Sequence, residues 1–200
     1  DIEVAGDAAI LQIGNRVWED ANANGIQDPT ETGIQDVTVE LFADFDINGI
    51  PDGGALASTQ TNNAGYFYFD NTNVVDGDPI VAGAQAGPVP RRNYLFRIGA
   101  ADWAAGAGIN DLFGKNITVI DIGGGGQPDV RDNDAFINNA IPMIDSVYTG
   151  NSGRNAHQYD FGFIPCPNIP PSDITLTCKD TILPIGPAPV AGFTYQWSPG

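Results

Sequence analysis

Short apolar segments that alternate with polar residues at a period of two run through the first 165 positions, the spacing of half-buried strands. Residues 11–18 read as a first strand, and residues 36–43 as a cleaner one in which Val37, Val39, Leu41 and Ala43 share a face. Residues 65–69 form an aromatic run able to cover both faces of a sheet. Residues 94–98, 116–120 and 158–164 complete the set; in the last, Tyr159, Phe161 and Phe163 are expected inward and Asp160 outward. Only residues 102–107 suggest a helical turn, which Gly106 keeps short. Six or seven strands joined by Gly-, Asn- and Asp-rich loops predict an all-β, antiparallel sandwich.

The pattern changes after residue 165. Pro167, Pro170 and Pro171 make residues 166–173 a stiff linker, and strand-like material resumes at 174–179 and 193–198. The expected organisation is a β domain over 1–165, a linker over 166–173, and at 174–200 either the start of an incomplete second domain or strands completed by another chain. Cys166 and Cys178 lie across the linker: they pair with each other, or Cys178 pairs with a cysteine beyond residue 200. Cys178 followed by Trp197 is similar to the strand-B cysteine and strand-C tryptophan of immunoglobulin domains.

Charge then narrows the function. The chain carries 25 acidic and 8 basic side chains, a formal net charge of −17. Nucleic acid and anionic lipid are repelled by such a chain, and no apolar run approaches the roughly 20 residues of a membrane span. A hydrophobic fraction of 42 % with 10 Phe, 6 Tyr and 3 Trp argues against disorder. Of the acids, 21 are Asp and 4 are Glu. Asp favours turns, so the excess points to loops that collect cations rather than to a plain solvated surface. One His, one Met and two Lys leave little material for base or nucleophile chemistry, and no enzyme is expected.

The sharpest motif is Asp20-Ala-Asn22-Ala-Asn24-Gly25-Ile26-Gln-Asp28-Pro-Thr-Glu31. Oxygen ligands stand at positions 1, 3 and 5, Gly at 6, a backbone carbonyl (Ile26) at 7, Asp at 9 and a bidentate Glu at 12. This is the calcium-loop spacing, set here between strands instead of helices. A second stretch, Asp44-Phe-Asp46-Ile-Asn48-Gly49-Ile50-Pro-Asp52, repeats the first nine positions but has Ala55 at position 12. Outside help is expected from Asp129, Asp132 and Asp134, crowded carboxylates that repel one another unless a cation neutralises them. Asp76 and Asp78 form a weaker pair. Trp18 reads as a core or edge aromatic, His157 lacks a second His for zinc, and Arg91-Arg92 reads as an ion-pair or surface couple. The four glycines at 123–126 lack the Lys and Ser/Thr of a phosphate loop and read as a turn.

These residues together resemble the SdrD B-like domains, relatives of the B repeats of collagen-binding adhesins. The resemblance rests on residues 13–20 running into 22–28, on 33–41 and 61–69, on Asp132-Asn-Asp134, and on Tyr159-Asp160-Phe161-Gly162-Phe163. It spans residues 8–165. It implies an immunoglobulin-like β-sandwich of the transthyretin-like type, on a bacterial surface or secreted protein, with calcium-binding loops. It implies a calcium site at Asp20, Asn22, Asn24, Ile26, Asp28 and Glu31. A second acidic cluster falls at Asp132 and Asp134, with Asp44, Asp46 and Asn48 as neighbours; Ile50 and Asp52 follow from the repeated spacing. Two departures stand out. Residues 71–90 are longer than the usual link, and Arg16 occupies the first strand where related domains carry an isopeptide-forming Lys, so no such bond is expected. Residues 173–200 resemble the opening of an immunoglobulin-like or PKD-like repeat.

The leading expectation is a spacer module stiffened by two or three Ca2+ ions, its partners being the neighbouring domains of the same polypeptide. The alternatives are a subunit that assembles with identical chains in a filament or layer, and an adhesive module that binds a host protein or glycan, which predicts exposed aromatics near residues 71–90. Neither nucleic acid nor membrane insertion is expected.

Overall fold

The computed structural model describes residues 10–103, 112, 115–120, 122 and 130–165. The expected linker, both cysteines, the start of the second domain, the four-glycine stretch and Asp129 lie outside the described residues. The described strands are β1 (Ile13–Glu19), β2 (Thr38–Ala43), β3 (Ala57–Gln60), β4 (Tyr66–Phe69), β5 (Asn93–Ile98), β6 (Asn116–Ile117), β7 (Phe136–Asn138), β8 (Ile141–Tyr148) and β9 (Phe161–Ile164), with one helical turn, α1 (Ala100–Trp103), after β5. They form two sheets, ordered β4-β1-β9-β6 and β3-β2-β5-β8-β7. The result is an all-β, mostly antiparallel two-sheet arrangement consistent with an immunoglobulin-like sandwich.

The alternation read from the sequence selects the core. Ile13 and Val17 of β1, Val39 and Leu41 of β2, Phe67 and Phe69 of β4, Phe96 and Ile98 of β5, and Phe161 and Phe163 of β9 are buried in one cluster between the sheets. Each such side chain contributes roughly 1.5–3 kcal/mol on burial. Phe67 meets Phe96 edge-on at 5.3 Å, and Phe69 stacks on Phe96 at 5.6 Å. The other face of β4 carries Tyr66 and Tyr68, stacked on each other, with the Arg16 guanidinium over the Tyr66 ring.

Trp18 is a core residue, fully buried, and the lack of a side chain at Gly162 makes room for it: a Cβ there would lie 2.8 Å from the indole. Gly65 is held at φ +82°, where a Cβ would lie 2.2 Å from the Val17 carbonyl oxygen, so the turn into β4 accepts no other residue without moving β1.

Four expectations are corrected. The sheet is not wholly antiparallel: β1 pairs with β9 in parallel, Val17 opposite Phe161. The strand expected over 116–120 ends at Ile117, and Val119 and Ile120 are about half exposed. β3, β7 and the eight-residue β8 were not foreseen, because Pro142, Asp145 and Ser146 break the alternation of β8. β8 nonetheless pairs centrally, and three steps from Ile144 to Val147 oppose two from Phe96 to Tyr94, an extra-residue bulge that places Ser146 at φ 59°. Finally, Asp160 does not face solvent: it is 0 % exposed.

The long segment 71–90 is tied down rather than free. Asp78, buried, pairs with Arg92 at 2.8 Å; the Tyr94 hydroxyl donates to the Gly77 carbonyl and accepts from the Val89 amide, both at 2.8 Å. This corrects the reading of Asp76 and Asp78 as a cation pair, since a guanidinium already neutralises Asp78. The segment contains no aromatic residue, so the exposed aromatics expected of an adhesive face are absent from it.

Candidate metal centres

The two acidic loops flank β2 in sequence: the first follows β1 and returns beside it, with the Glu19 amide donating to the Thr32 carbonyl, and the second follows β2 directly on the way to β3. Their backbones fold alike. In the first, the Asp20 carboxylate accepts the amides of Asn24 at 3.2 Å and Gly25 at 2.7 Å, and Asn24 Oδ1 accepts the Ile26 amide at 2.8 Å. In the second, Asp44 accepts the amides of Asn48 at 3.0 Å and Gly49 at 3.1 Å, and Asn48 Oδ1 accepts the Ile50 amide at 2.8 Å. Positions 4 and 6 are left-handed in both: Ala23 and Gly25 at φ 58° and 78°, Ile47 and Gly49 at φ 59° and 72°. Each turn is thus wound around the carboxylate at its position 1. Both carboxylates are buried, Asp20 at 0 % and Asp44 at 1 % exposure.

The loops close differently. Glu31 reaches back across the first loop, accepting the Ala21 amide through Oε1 at 2.8 Å and the Asp28 amide through Oε2 at 3.0 Å. Burial, and then the charges of Asp20 and Asp28, raise its pKa despite those two hydrogen bonds. Asp28 Oδ2 accepts the side-chain amides of Asn22 at 2.8 Å and Asn24 at 3.1 Å. The Thr118 hydroxyl adds a hydrogen bond to Asp20, which fastens the loop to the segment after β6.

In the second loop Asp52 accepts the Phe45 amide at 2.6 Å. Phe45 is position 2, the same position whose amide Glu31 accepts in the first loop. The position-9 Asp therefore takes over the closing contact of the missing position-12 Glu. Carboxylate oxygens of Asp44, Asp46 and Asp52 lie within 4.8 Å of one another, close enough to share one ion. All donors in both loops are hard oxygens, the set that suits calcium or magnesium rather than a softer metal.

The third acidic segment does not lie where the sequence suggested. It packs on the first loop, not the second: Ile26 bridges to Asp132, Gln27 donates to the Arg131 carbonyl at 2.6 Å, and Asn133 donates to the Gly25 carbonyl at 3.3 Å. Asp132 is 2 % exposed, and Asp134 Oδ2 accepts the Asp160 amide at 2.6 Å. The acid near the second loop is instead Asp145 of the β8 bulge; a Cβ at Gly49 would lie 3.3 Å from its Oδ2. No spacing marks Asp145, because it is separated from loop two by almost a hundred residues and reaches it only through sheet pairing. The burial of Asp160 was likewise not legible, since period two alone assigned it to solvent.

No helix among the described residues is long and apolar enough to cross a membrane. Residues 11–85 match the family described as the SdrD B-like domain. Among similar proteins, the serine-aspartate repeat-containing protein I of Staphylococcus saprophyticus is 44 % identical over 69 residues, 34 % of this chain and 3 % of that protein. A bone sialoprotein-binding protein of Staphylococcus aureus is 41 % identical over 59 residues, 30 % of this chain and 5 % of that protein. Colossin-B of Dictyostelium discoideum is 40 % identical over 62 residues, 28 % of this chain and 2 % of that protein. The matched stretch thus spans only a few per cent of these relatives, and it contains both acidic loops together with β1 to β4. Over residues 11–85, a little over a third of its length, the chain is thus similar to the SdrD B-like domain.

Proposed function

We propose that this domain is a calcium-stiffened spacer of a bacterial surface protein, holding its neighbours in the same polypeptide at fixed separation. The observation that carries this reading is the repetition of one oxygen-lined turn, wound alike after β1 and after β2. Asp20, Asn22, Asn24, Ile26, Asp28 and Glu31 would hold one ion. Asp44, Asp46, Asn48, Ile50 and Asp52 would hold a second, and Asp132 and Asp134 support the first loop from the side. The chemistry supplied by calcium is charge neutralisation: buried carboxylates that repel in its absence become mutual ligands. Ion binding then adds its free energy to folding and tightens the strand ends against the loops. The domain occupies residues 1–165 in this reading, followed by a linker over 166–173 and a further domain beginning at 174.

Thermal melting of the full chain in calcium and in excess chelator tests it. Calcium should raise the midpoint of the wild type, less so that of Asp20→Ala with Glu31→Ala, and not at all once Asp44→Ala is added. A wild-type midpoint indifferent to chelator would overturn the proposal.

A further inference from the structure

Phe42 of β2, Leu95 of β5 and Met143 of β8 form a second apolar cluster, with Phe136 of β7 packed against it. Each of the three adjoins a residue of the main core, Leu41, Phe96 and Ile144, so strand alternation turns this cluster to the outer face of the five-stranded sheet. A groove of about 320 Å3 opens over that face, between residues 48–51 of loop two and the turn from β7 to β8. The turn is tight, with Asn139 and Ala140 left-handed at φ 49° and 64°. The groove runs beside β7, the edge strand of the sheet.

Two charged side chains line it, Arg97 and Asp145, and they differ in what they have left to offer. The Arg97 charge is already taken. Its guanidinium donates twice to Glu40 Oε2, at 2.8 and 3.1 Å, and lies 4.4 Å from the centre of the Phe42 ring. Asp145 has no hydrogen bond or ion pair among the described residues, and the side chains of Asn138 and Asn139 on the facing wall have no hydrogen bond there either. The groove therefore combines an apolar floor with one uncompensated carboxylate and two amides able to accept hydrogen bonds. That combination matches a long aliphatic stem ending in a cation, the build of an arginine or lysine side chain. The formal net charge of −17 favours the same class of partner at longer range. A glycan is a poorer match, because Arg97 already covers the Phe42 ring on which a sugar would stack.

We infer that this groove is a docking site for a basic segment of another protein, which lays an arginine or lysine stem across Met143 and Phe136 and brings its charged head to Asp145. Asn138 and Asn139 accept the remaining N–H groups of the head. Apolar residues beside the basic one rest on Ile50, 62 % exposed at the rim. The inference does not depend on an ion in loop two.

Met143 is the single methionine of the chain, so its labelled methyl group gives one NMR signal from the floor of the groove. The full chain is titrated with acetyl-Leu-Arg-Leu amide, and with the same peptide carrying citrulline, which keeps the stem and the hydrogen bonding but not the charge. The arginine peptide should shift the Met143 signal saturably, in calcium and in chelator alike. The citrulline peptide should bind the wild type at least about fivefold more weakly, and Asp145→Asn should weaken the arginine peptide by a similar factor. The citrulline comparison needs no variant, so it decides the matter even if Asp145→Asn does not fold. No saturable shift, or equal binding of the two peptides, overturns the proposal, as does a folded Asp145→Asn that binds like the wild type. Binding in chelator that calcium abolishes also overturns it, by assigning Asp145 to loop two. A Met143 shift that follows protein concentration without peptide overturns it in favour of a second copy of the chain.

Discussion

Glu31→Gln separates a calcium ligand from a loop-closing residue. Each Glu31 oxygen accepts one backbone amide, from Ala21 and from Asp28. Glutamine keeps one of these contacts and sets its NH2 group against the other amide, a loss of about 1–1.5 kcal/mol. The substitution also removes a charge that burial and the carboxylates of Asp20 and Asp28 disfavour, which offsets part of the loss. The net change in chelator should therefore be within about 1 kcal/mol. In calcium the balance differs. For an extracellular module with a Kd of about 10⁻⁴ M, about 10 mM calcium is a hundredfold excess, and binding contributes about 2.7 kcal/mol per site. A chain of this length then melts roughly 5–10 °C higher per filled site. Circular-dichroism melts of wild type and Glu31→Gln, each in 10 mM calcium (about a hundredfold excess, as above) and in chelator, measure both terms. The variant should lose one site's increment while its midpoint in chelator stays near that of the wild type. Retention of the full increment, or an equal loss in both conditions, would refute the role of Glu31 as a ligand.

Two further outcomes follow from the packing. The Tyr94 phenol, buried and pushed up to about 12 mainly by that burial, must stay protonated to donate to the Gly77 carbonyl. Its folded pKa exceeds its unfolded value of 10.0, so its contribution is fully present below pH 10 and is lost as pH rises toward about 12. Urea titrations across that window should show stability falling by about 1.4 kcal/mol per pH unit, and Tyr94→Phe should flatten the slope while costing about 1–3 kcal/mol at neutral pH. Gly65→Ala forces a Cβ to 2.2 Å from the Val17 carbonyl at φ +82°, and should cost about 3 kcal/mol or more by denaturant melting. An unchanged midpoint for that variant would contradict the described turn.

The strands that could be read in advance share one property: their inward residues recur at period two without interruption, as Val37, Val39 and Leu41 do. β8 escaped because its pattern is broken by a bulge, and a bulge has meaning only against the strand it faces. The winding of the first loop was legible because the residues that turn and close it, Asp20 to Glu31, are twelve consecutive ones. The second was legible only as far as its ninth position, and the role of Asp52 in closing it appears once the Phe45 amide is seen to point at that carboxylate.

Local chemistry thus determined the strand class, the core faces and the two oxygen-lined turns, because each depends on neighbours within a few residues of one another. Tertiary structure alone decided that the acids of 132–134 support the first loop, that Asp145 approaches the second, and that Asp160 is enclosed with one oxygen unsatisfied. Those facts depend on which strands pair, including the parallel pairing of β1 with β9, and pairing is settled by the summed burial of the whole core rather than by any segment on its own.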